Sequence, residues 1–490
     1  MVRSAQTHLV LPPLDPADPE PLYRQLYHHL RAAILDGRLG TGSRLPASRP
    51  LAVDLGISRN TVTLALEQLA AEGYVESRAG SGTRVALPTP LPSLAGRRVE
   101  RNDGGRRAIS LRARQSATWE VPLRRASFLP FAPGLPALDA FPARDWSRLL
   151  ARRWRRPAKE LMAGYDAAGY LPLRTAIAEH IGRVRGVRCT ADQVVVVAGS
   201  QQGLDLTARV LLDPGDLAMV EDPCYGGLKG ALRACGAEPA PVPVDAAGFD
   251  PLLAERLWPS ARFACITPSH QFPSGATMPV ERRLALIDWA ARKDGWIVED
   301  DYDSDFRYSG RPLAALQGLD GNNRTIYCGT FSKSMFPALR LGWLVVPSDL
   351  LPAFLAMRRL ADMAPSSLTQ AATADFMAEG LFAAHLRRVR PLYAERRQSL
   401  LVAAAHHLSG LADVVAGEAG THAVAWLPDG RDDQAIAAAA QAQGLAPAPL
   451  TRYRLHAGRP GLILGYGHMP VDIIEPSIRI LARILGETGA

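Results

Sequence analysis

Only four lysines, Lys159, Lys229, Lys293 and Lys333, stand among the 56 lysines and arginines of this 490-residue chain. Lys333 lies in Thr330-Phe331-Ser332-Lys333-Ser334, among small hydroxyl residues. An amine that attacks a carbonyl must be able to lose its proton, which a desolvated lysine does and an arginine effectively does not. Lys333 is therefore a candidate Schiff-base residue; the competing reading is a surface lysine in a Ser/Thr-rich loop. Upstream, Trp296-Ile297-Val298-Glu299-Asp300-Asp301-Tyr302-Asp303 is an apolar run of strand length that ends in acid, the pattern of a buried parallel strand. Ligands of open α/β sheets collect outside the carboxyl ends of such strands. A carboxylate there can hold a pyridinium proton and a phenol can donate to a phenolate oxygen, as pyridoxal phosphate (PLP) requires. Alone, the acidic stretch reads equally as a solvated loop.

Taken together, Asp300, Tyr302, Thr330, Lys333 and Arg340-Leu341-Gly342 resemble the cofactor motifs of fold-type I aminotransferases, from about residue 130 to the C-terminus. The resemblance implies Lys333 as the lysine joined to PLP, Asp300 at the pyridine nitrogen and Tyr302 at the phenolic oxygen. Thr330, Ser332 and Arg340 would hold the phosphate. Tyr225, after Glu221-Asp222-Pro223-Cys224, resembles the aromatic that stacks on the pyridine ring, and a core tyrosine is the alternative. In the family, the tyrosine of a stretch such as Gly164-Tyr165 reaches the phosphate held by the other subunit, so Tyr165 implies a homodimer.

The strand pattern Val194–Val197 turns at Gly199 into a helix beginning Ser200-Gln201-Gln202. Free N–H groups at such a helix start suit a phosphate, which makes Ser200 and Gln201 candidates. In Thr267-Pro268-Ser269-His270-Gln271-Phe272-Pro273-Ser274-Gly275, Phe272 stands where the family's turn carries an asparagine that polarises the phenolic oxygen. That departure weighs against efficient transamination; His270 or Gln271 would have to substitute, and His270 is also a candidate effector contact. The arginine that aminotransferases present to a substrate carboxylate has no evident counterpart in the apolar Gly461–Gly467 segment. Arg452 is the replacement candidate, with Arg454 second, each equally readable as a surface arginine. Leu368–Leu408 reads as helices of a smaller lobe, with Arg387-Arg388 and Arg396-Arg397 on solvated faces.

Nearer the N-terminus, residues 20–36 space Leu22, Leu26, Leu30, Ala33 and Ile34 along one helical face, which Gly37 ends. Ser48 is placed to cap a short helix through Leu55, and Ser58 to cap Arg59–Glu72 with Val62, Leu66 and Leu69 inward. Two helices across a tight turn at Gly56 form a helix-turn-helix, whose second helix offers its leading polar residues to the major groove. Gly73–Val85 reads as two short strands around a Gly-rich tip, a wing flanked by Arg78 and Arg84. A generic three-helix packing unit is the competing explanation. Leu45-Pro46-Ala47-Ser48-Arg49, Ser58-Arg59-Asn60-Thr61-Val62 and Glu72-Gly73-Tyr74 resemble the winged helix-turn-helix of GntR-type regulators over residues 20–85. The resemblance implies double-stranded DNA as partner, contacted by Arg49, Ser58, Arg59, Asn60, Thr61, Arg78 and Arg84.

The net charge of +8 permits an anionic partner without naming one. Residues 86–127 carry nine arginines against three acids among scattered Pro and Gly, so they read as a basic linker that either adds phosphate contacts or merely spaces. No apolar run reaches the roughly 18–20 residues of a membrane span, and Pro12, Pro13, Pro16 and Pro19 break the start of the chain, so a cytoplasmic location is expected. Cys189, Cys224, Cys235, Cys265 and Cys328 lack metal-ligand spacing and are expected reduced.

A GntR-like reader ahead of an aminotransferase-like domain is the arrangement of the MocR family of bacterial transcription regulators. The expected domains are residues 1–85 as reader, 86–127 as linker and 128–490 as effector and dimerisation domain. The expected class is α/β, with a mostly parallel sheet and a small C-terminal α+β lobe. The resemblance implies a PLP-dependent regulator in which an amine or amino-acid effector, or PLP itself, bound at Lys333 changes promoter binding. The alternative is a working PLP-dependent aminotransferase that carries a DNA module. The intact set Asp300, Tyr302, Lys333 and Arg340 argues against a regulator that has lost its cofactor.

Overall fold

The computed structural model describes residues 11–78, 82–86, 110, 113–114, 128–155, 159–163, 166–308 and 313–487. Two compact units divide the chain, Met1–Ala108 and Ile109–Ala490. Most of the expected linker, the wing tip at 79–81, Tyr165 and the side chain of Arg78 lie outside the described residues.

In the first unit, α1 (Leu22–Leu35), α2 (Ser48–Asp54) and α3 (Arg59–Ala71) precede an antiparallel hairpin of β1 (Val75–Arg78) and β2 (Gly82–Val85). Leu26, Leu30 and Ala33 of α1, Leu51 of α2 and Val62, Ala65 and Leu69 of α3 close one core. Each fully buried Leu or Val there contributes about 1.5–3 kcal/mol. The small Ala65 takes the buried position and Leu66 only half-buries, although the two share the inward side of the helix. Ser58 caps α3, its Oγ accepting the Thr61 N–H at 3.1 Å. Ser48 does not cap α2: the helix begins at Ser48 itself behind Ala47, and the Ser48 hydroxyl faces Arg59 Nε at 3.4 Å.

The second unit is built on a seven-stranded sheet in the order β3 (Val194–Val197), β9 (Gly342–Val345), β8 (Thr325–Thr330), β7 (Trp296–Asp301), β6 (Phe263–Ile266), β4 (Leu217–Asp222), β5 (Glu238–Pro243). Only β9 runs against its neighbours; β8, β7, β6, β4 and β5 pair in parallel. Burial on both faces explains why Val194–Val197 is apolar throughout rather than alternating. A smaller antiparallel sheet follows in the order β10 (Asp413–Val415), β11 (His422–Trp426), β13 (Gly461–Gly465), β12 (Ala448–Pro449).

The long helix Leu381–His407 ties the two sheets together. Phe382, Leu386, Val389 and Tyr393 enter the core of the large sheet, and Leu400, Ala403 and Ala404 that of the small one. The preceding helix Ser367–Ala378 packs Ala374 and Phe376 into the large core, so it is not part of the smaller lobe. Because the long helix runs between lobes, Arg396 is not on a solvated face. It is buried, with Nη2 donating to Asp139 at 2.8 Å, while Arg397 Nε donates to the carbonyl of Gly417 at 2.9 Å. Arg387 and Arg388 do face solvent. Cys224, Cys235, Cys265 and Cys328 are buried thiols and Cys189 is half-buried. Among the described residues no helix is long and apolar enough to cross a membrane.

Candidate functional site

The parallel strands deliver their side chains to one edge of the sheet. β8 runs into the loop that carries Lys333, β7 carries Asp300 one residue before its end and leads to Tyr302, β6 leads to Phe272, and β4 leads to Tyr225. From the far side β3 turns through Gly199 into the helix Ser200–Leu211, and Arg340 lies two residues before the start of β9. These residues surround a cavity of about 360 Å³, completed by Pro133 and Gly134, Thr421 and His422, and Arg452 and Tyr453. Lys333 Nζ donates to the carbonyl of Gly134 at 2.8 Å.

Three successive acids of β7 serve different ends because a strand's side chains alternate between faces. Glu299 accepts the N–H groups of Leu316 and Gln317 at 3.0 and 2.9 Å, and Asp301 pairs with Arg185 at 2.8 Å and Tyr327 Oη at 2.6 Å. Asp300 points to the other face and lines the cavity. Its Oδ1 is buried with no hydrogen-bond partner among the described residues. Burial pushes the Asp300 carboxyl up to about 7, reinforced by the charges of Asp301, Glu221 and Asp303 and opposed by Lys333.

Ser200, Thr330, Ser332 and Arg340 gather at one corner. Gly199, at φ +86°, sets the start of the helix Ser200–Leu211 without a side-chain cap, and the first N–H groups of a helix have no partner within it and suit an anion. Arg340 Nη2 donates to the carbonyl of Ala198 at 2.8 Å, and Thr330 Oγ1 accepts the Ser332 N–H at 3.1 Å. Gln201 lines the cavity while its amide donates to the carbonyl of Gly227 at 2.9 Å. Gly227 admits no side chain: a Cβ there would fall 1.9 Å from Gln201 Oε1 and 2.4 Å from the Tyr225 ring. Tyr225 keeps 38% of its surface exposed, an open aromatic face on the cavity wall.

His270 and Gln271 do not reach the cavity. Gln271 is buried, donating to the carbonyl of Pro223 at 2.8 Å and accepting the Ser274 hydroxyl at 2.6 Å. His270 is buried behind Tyr302, its Nδ1 2.9 Å from the phenol oxygen. It is therefore corrected from an effector contact to a supporting group. Phe272 does line the cavity, its ring 5.9 Å from that of Tyr302 and 5.3 Å from that of Tyr453.

Arg452 is exposed at the cavity wall in the turn Leu450–Tyr453, whereas Arg454 turns away to the carbonyl of Arg459. The large lobe grips this turn: Lys229 Nζ donates to the carbonyls of Arg452 and Arg454 at 3.3 and 3.2 Å, and Asp222 accepts the N–H groups of Leu455 and His456 at 2.9 and 3.0 Å. Gly134, Thr421, His422 and Tyr453 had no sequence signal, because they come from separate segments that carry no motif.

In the first unit, Arg59 and Asn60 are exposed at the start of α3, with Thr61 half-buried beside the Ser58 cap; Arg49 and Arg84 are also exposed. Arg84 Nη1 donates to the carbonyl of Gly42 at 2.9 Å, which ties the hairpin to the turn before α2.

Residues 22–85 match the model of bacterial regulatory proteins of the gntR family, and residues 145–429 match aminotransferase class I and II. Over 94% of its length, and 93% of the relative's, the chain is 43% identical to a probable rhizopine catabolism regulatory protein, MocR, of Rhizobium meliloti. The chain belongs to the MocR family. It is a helix-turn-helix transcription regulator with an aminotransferase-like domain, and its likeness extends to the pyridoxine biosynthesis regulator PdxR of Corynebacterium glutamicum, at 33% identity over 78% of this chain and 79% of that one. Among solved structures, the α-aminoadipate aminotransferase LysN of Thermus thermophilus, complexed with N-(5'-phosphopyridoxyl)-L-leucine, superposes with a TM-score of 0.69 at 27% identity, covering 77% of this chain and 95% of that one.

Proposed function

We propose that this MocR-family regulator holds PLP in the Lys333 cavity and changes its promoter binding when an amine or amino acid, or PLP itself, occupies that site. The observation that carries the reading is the buried Asp300 Oδ1, without a hydrogen-bond partner among the described residues, facing the same cavity as the Lys333 amine. A buried carboxylate without a donor is costly, and a pyridinium N–H supplies the donor. Asp300 would hold the pyridine nitrogen, Tyr302 the phenolic oxygen and Tyr225 the ring face. Ser200, Gln201, Thr330, Ser332 and Arg340 would hold the phosphate, joined by Tyr165 of a second subunit in a homodimer. Bound there, PLP supplies an aldehyde that exchanges amines covalently. Arg452, on the cavity wall, would pair with an effector carboxylate.

DNA contact is assigned to Arg49, Ser58, Arg59, Asn60, Thr61, Arg78 and Arg84, with the effector domain of residues 128–490 altering the spacing of two readers in the cytoplasm. An effector shifts that spacing only by binding one arrangement more tightly than the other. Arg59→Ala is expected to weaken operator binding about ten-fold or more, since a good arginine contact to a base is worth about 1–3 kcal/mol. A mobility-shift titration across a salt series measures this, and wild-type affinity would remove Arg59 from the interface.

The whole proposal is tested on the purified chain by recording its visible absorption with added PLP, then with a panel of amines, alongside binding to DNA from its own upstream region. A visible band that one amine shifts, with altered DNA binding and no turnover of a keto acid, supports the sensor. Sustained turnover supports the aminotransferase alternative, and a chain that takes up no PLP refutes both.

A further inference from the structure

We infer that Asp303 and His270 act as positioning residues that turn the hydroxyl proton of Tyr302 into the cavity, an inference that rests on the cofactor reading above. Tyr302 lines the cavity, while His270 and Asp303 lie buried behind it. His270 Nδ1 stands 2.9 Å from Tyr302 Oη and 3.0 and 3.2 Å from the two oxygens of Asp303. A neutral ring nitrogen carries either a hydrogen or an accepting lone pair, so Nδ1 cannot both donate to the carboxylate and accept from the phenol. The carboxylate decides the matter, because a carboxylate accepts only and a lone pair facing it at 3.0 Å would repel it. Nδ1 therefore bears the hydrogen, which lies between Asp303 and the Tyr302 oxygen. The phenol is then an acceptor toward His270, and its own hydrogen is free to point at a ligand. With the opposite tautomer, Tyr302 would spend that hydrogen on the imidazole.

Two further features fit. Nε2 of His270 is buried without a partner among the described residues, which is tolerable for a lone pair and costly for an N–H. The ring is also wedged in place by glycines: a Cβ at Gly275 or Gly417 would come 3.3 or 2.8 Å from His270 Nε2, and one at Gly420 would come 2.6 Å from Asp303 Oδ2. Gly417 and Gly420 precede β11, so both lobes hold the pair. The other groups that face it leave the polarity unchanged. Burial lowers His422, 5.3 Å away ring to ring, to about 3, helped by His270 and Lys333, so it stays uncharged with Nε2 on the carbonyl of Pro273. Burial, then the charges of Asp303, Asp300, Glu221 and Asp301, hold the Tyr302 phenol well above its ordinary value, so it keeps the proton it is to donate. Phe272 offers no donor on this wall, which leaves the orientation of Tyr302 more consequential.

The test is a pH titration of the visible absorption of the full-length, PLP-loaded protein. A hydrogen bond donated to the phenolic oxygen stabilises its anion, and losing that bond raises the basicity of the linked nitrogen. Asp303→Asn frees Nδ1 to accept from Tyr302. It is expected to raise the midpoint by about one pH unit, the scale of one hydrogen bond to a charged atom, in the same direction as Tyr302→Phe. Combined with Tyr302→Phe, it should add nothing, because it acts through that hydroxyl. Midpoints that Asp303→Asn leaves unmoved, or shifts that add in the double variant, overturn the inference while leaving the cofactor reading intact. Absence of any band in the wild type overturns both. Should Asp303→Asn not fold, a neutron structure of the unmutated protein locates the hydrogens directly: one on Nδ1 and one on Tyr302 facing the cavity support the inference, and a Tyr302 hydrogen aimed at Nδ1 overturns it.

Discussion

Lys333→Ala is expected to abolish the dialysis-resistant visible absorption band of the PLP-treated protein and with it any amine-dependent change in DNA binding. The other lysines cannot stand in. Lys229 is buried under the Arg452 turn with its Nζ on two backbone carbonyls, Lys293 lies at the surface near Glu255 at 3.5 Å, and Lys159 is exposed in a separate short helix. Lys333 is the one that lines the cavity, its amine held by the carbonyl of Gly134 and close enough to lower the carboxyl of Asp300 against the pull of burial. The phosphate corner and Asp300 remain in the variant, so PLP should still bind, but noncovalently, and dialysis should remove it. Absorption spectra before and after dialysis, with circular dichroism to establish folding, decide the matter. A retained, dialysis-resistant band would strip Lys333 of its role.

Much of this site was legible because its chemistry demands particular residue types. A deprotonable amine, a strand-end carboxylate, a phenol and an arginine cannot be exchanged for their neighbours, so Lys333, Asp300, Tyr302 and Arg340 stand out and meet in one cavity. The reader unit was legible for a different reason: apolar spacing in α1 and α3 and the Ser58 cap are local signals. What escaped were properties that only packing creates. His270 and Phe272 are two residues apart, yet the turn after β6 sends one behind Tyr302 and the other into the cavity. Arg396 looks like any surface arginine until the long helix is seen to pass between two cores, where Asp139 waits for it. Ser48 has the composition of a cap and loses the role by one residue, because the helix starts at it rather than after it.

Asp300→Asn should raise the stability of the unliganded protein and shrink the stabilisation that PLP adds. In the unliganded protein the Asp300 carboxyl sits near 7 rather than at its ordinary 3.8, chiefly through burial. The folded state then binds more protons than the unfolded chain between these values, so stability falls as pH rises from about 4 to 7 and the penalty is complete above 7. At about 1.4 kcal/mol per unit, that penalty is on the order of a few kcal/mol. The amide carries no charge to desolvate. Unliganded Asp300→Asn is therefore expected to unfold at a higher temperature than the wild type at pH 8, with little difference at pH 4. A shallower slope should persist from Glu221, also pushed up to about 7 by burial. PLP stabilises the variant less than the wild type, because the carboxylate pairs with a pyridinium N–H and the amide does not. Losing one charge-assisted hydrogen bond, about 1.5–3 kcal/mol, weakens PLP binding roughly ten- to hundred-fold. The thermal upshift produced by a fixed PLP concentration shrinks with it. Thermal unfolding at pH 4 and 8, with and without PLP, reads both effects at once. An Asn variant that PLP stabilises as fully as the wild type would take Asp300 away from the cofactor, and one no more stable than the wild type without PLP would mean that the buried carboxylate already has a partner.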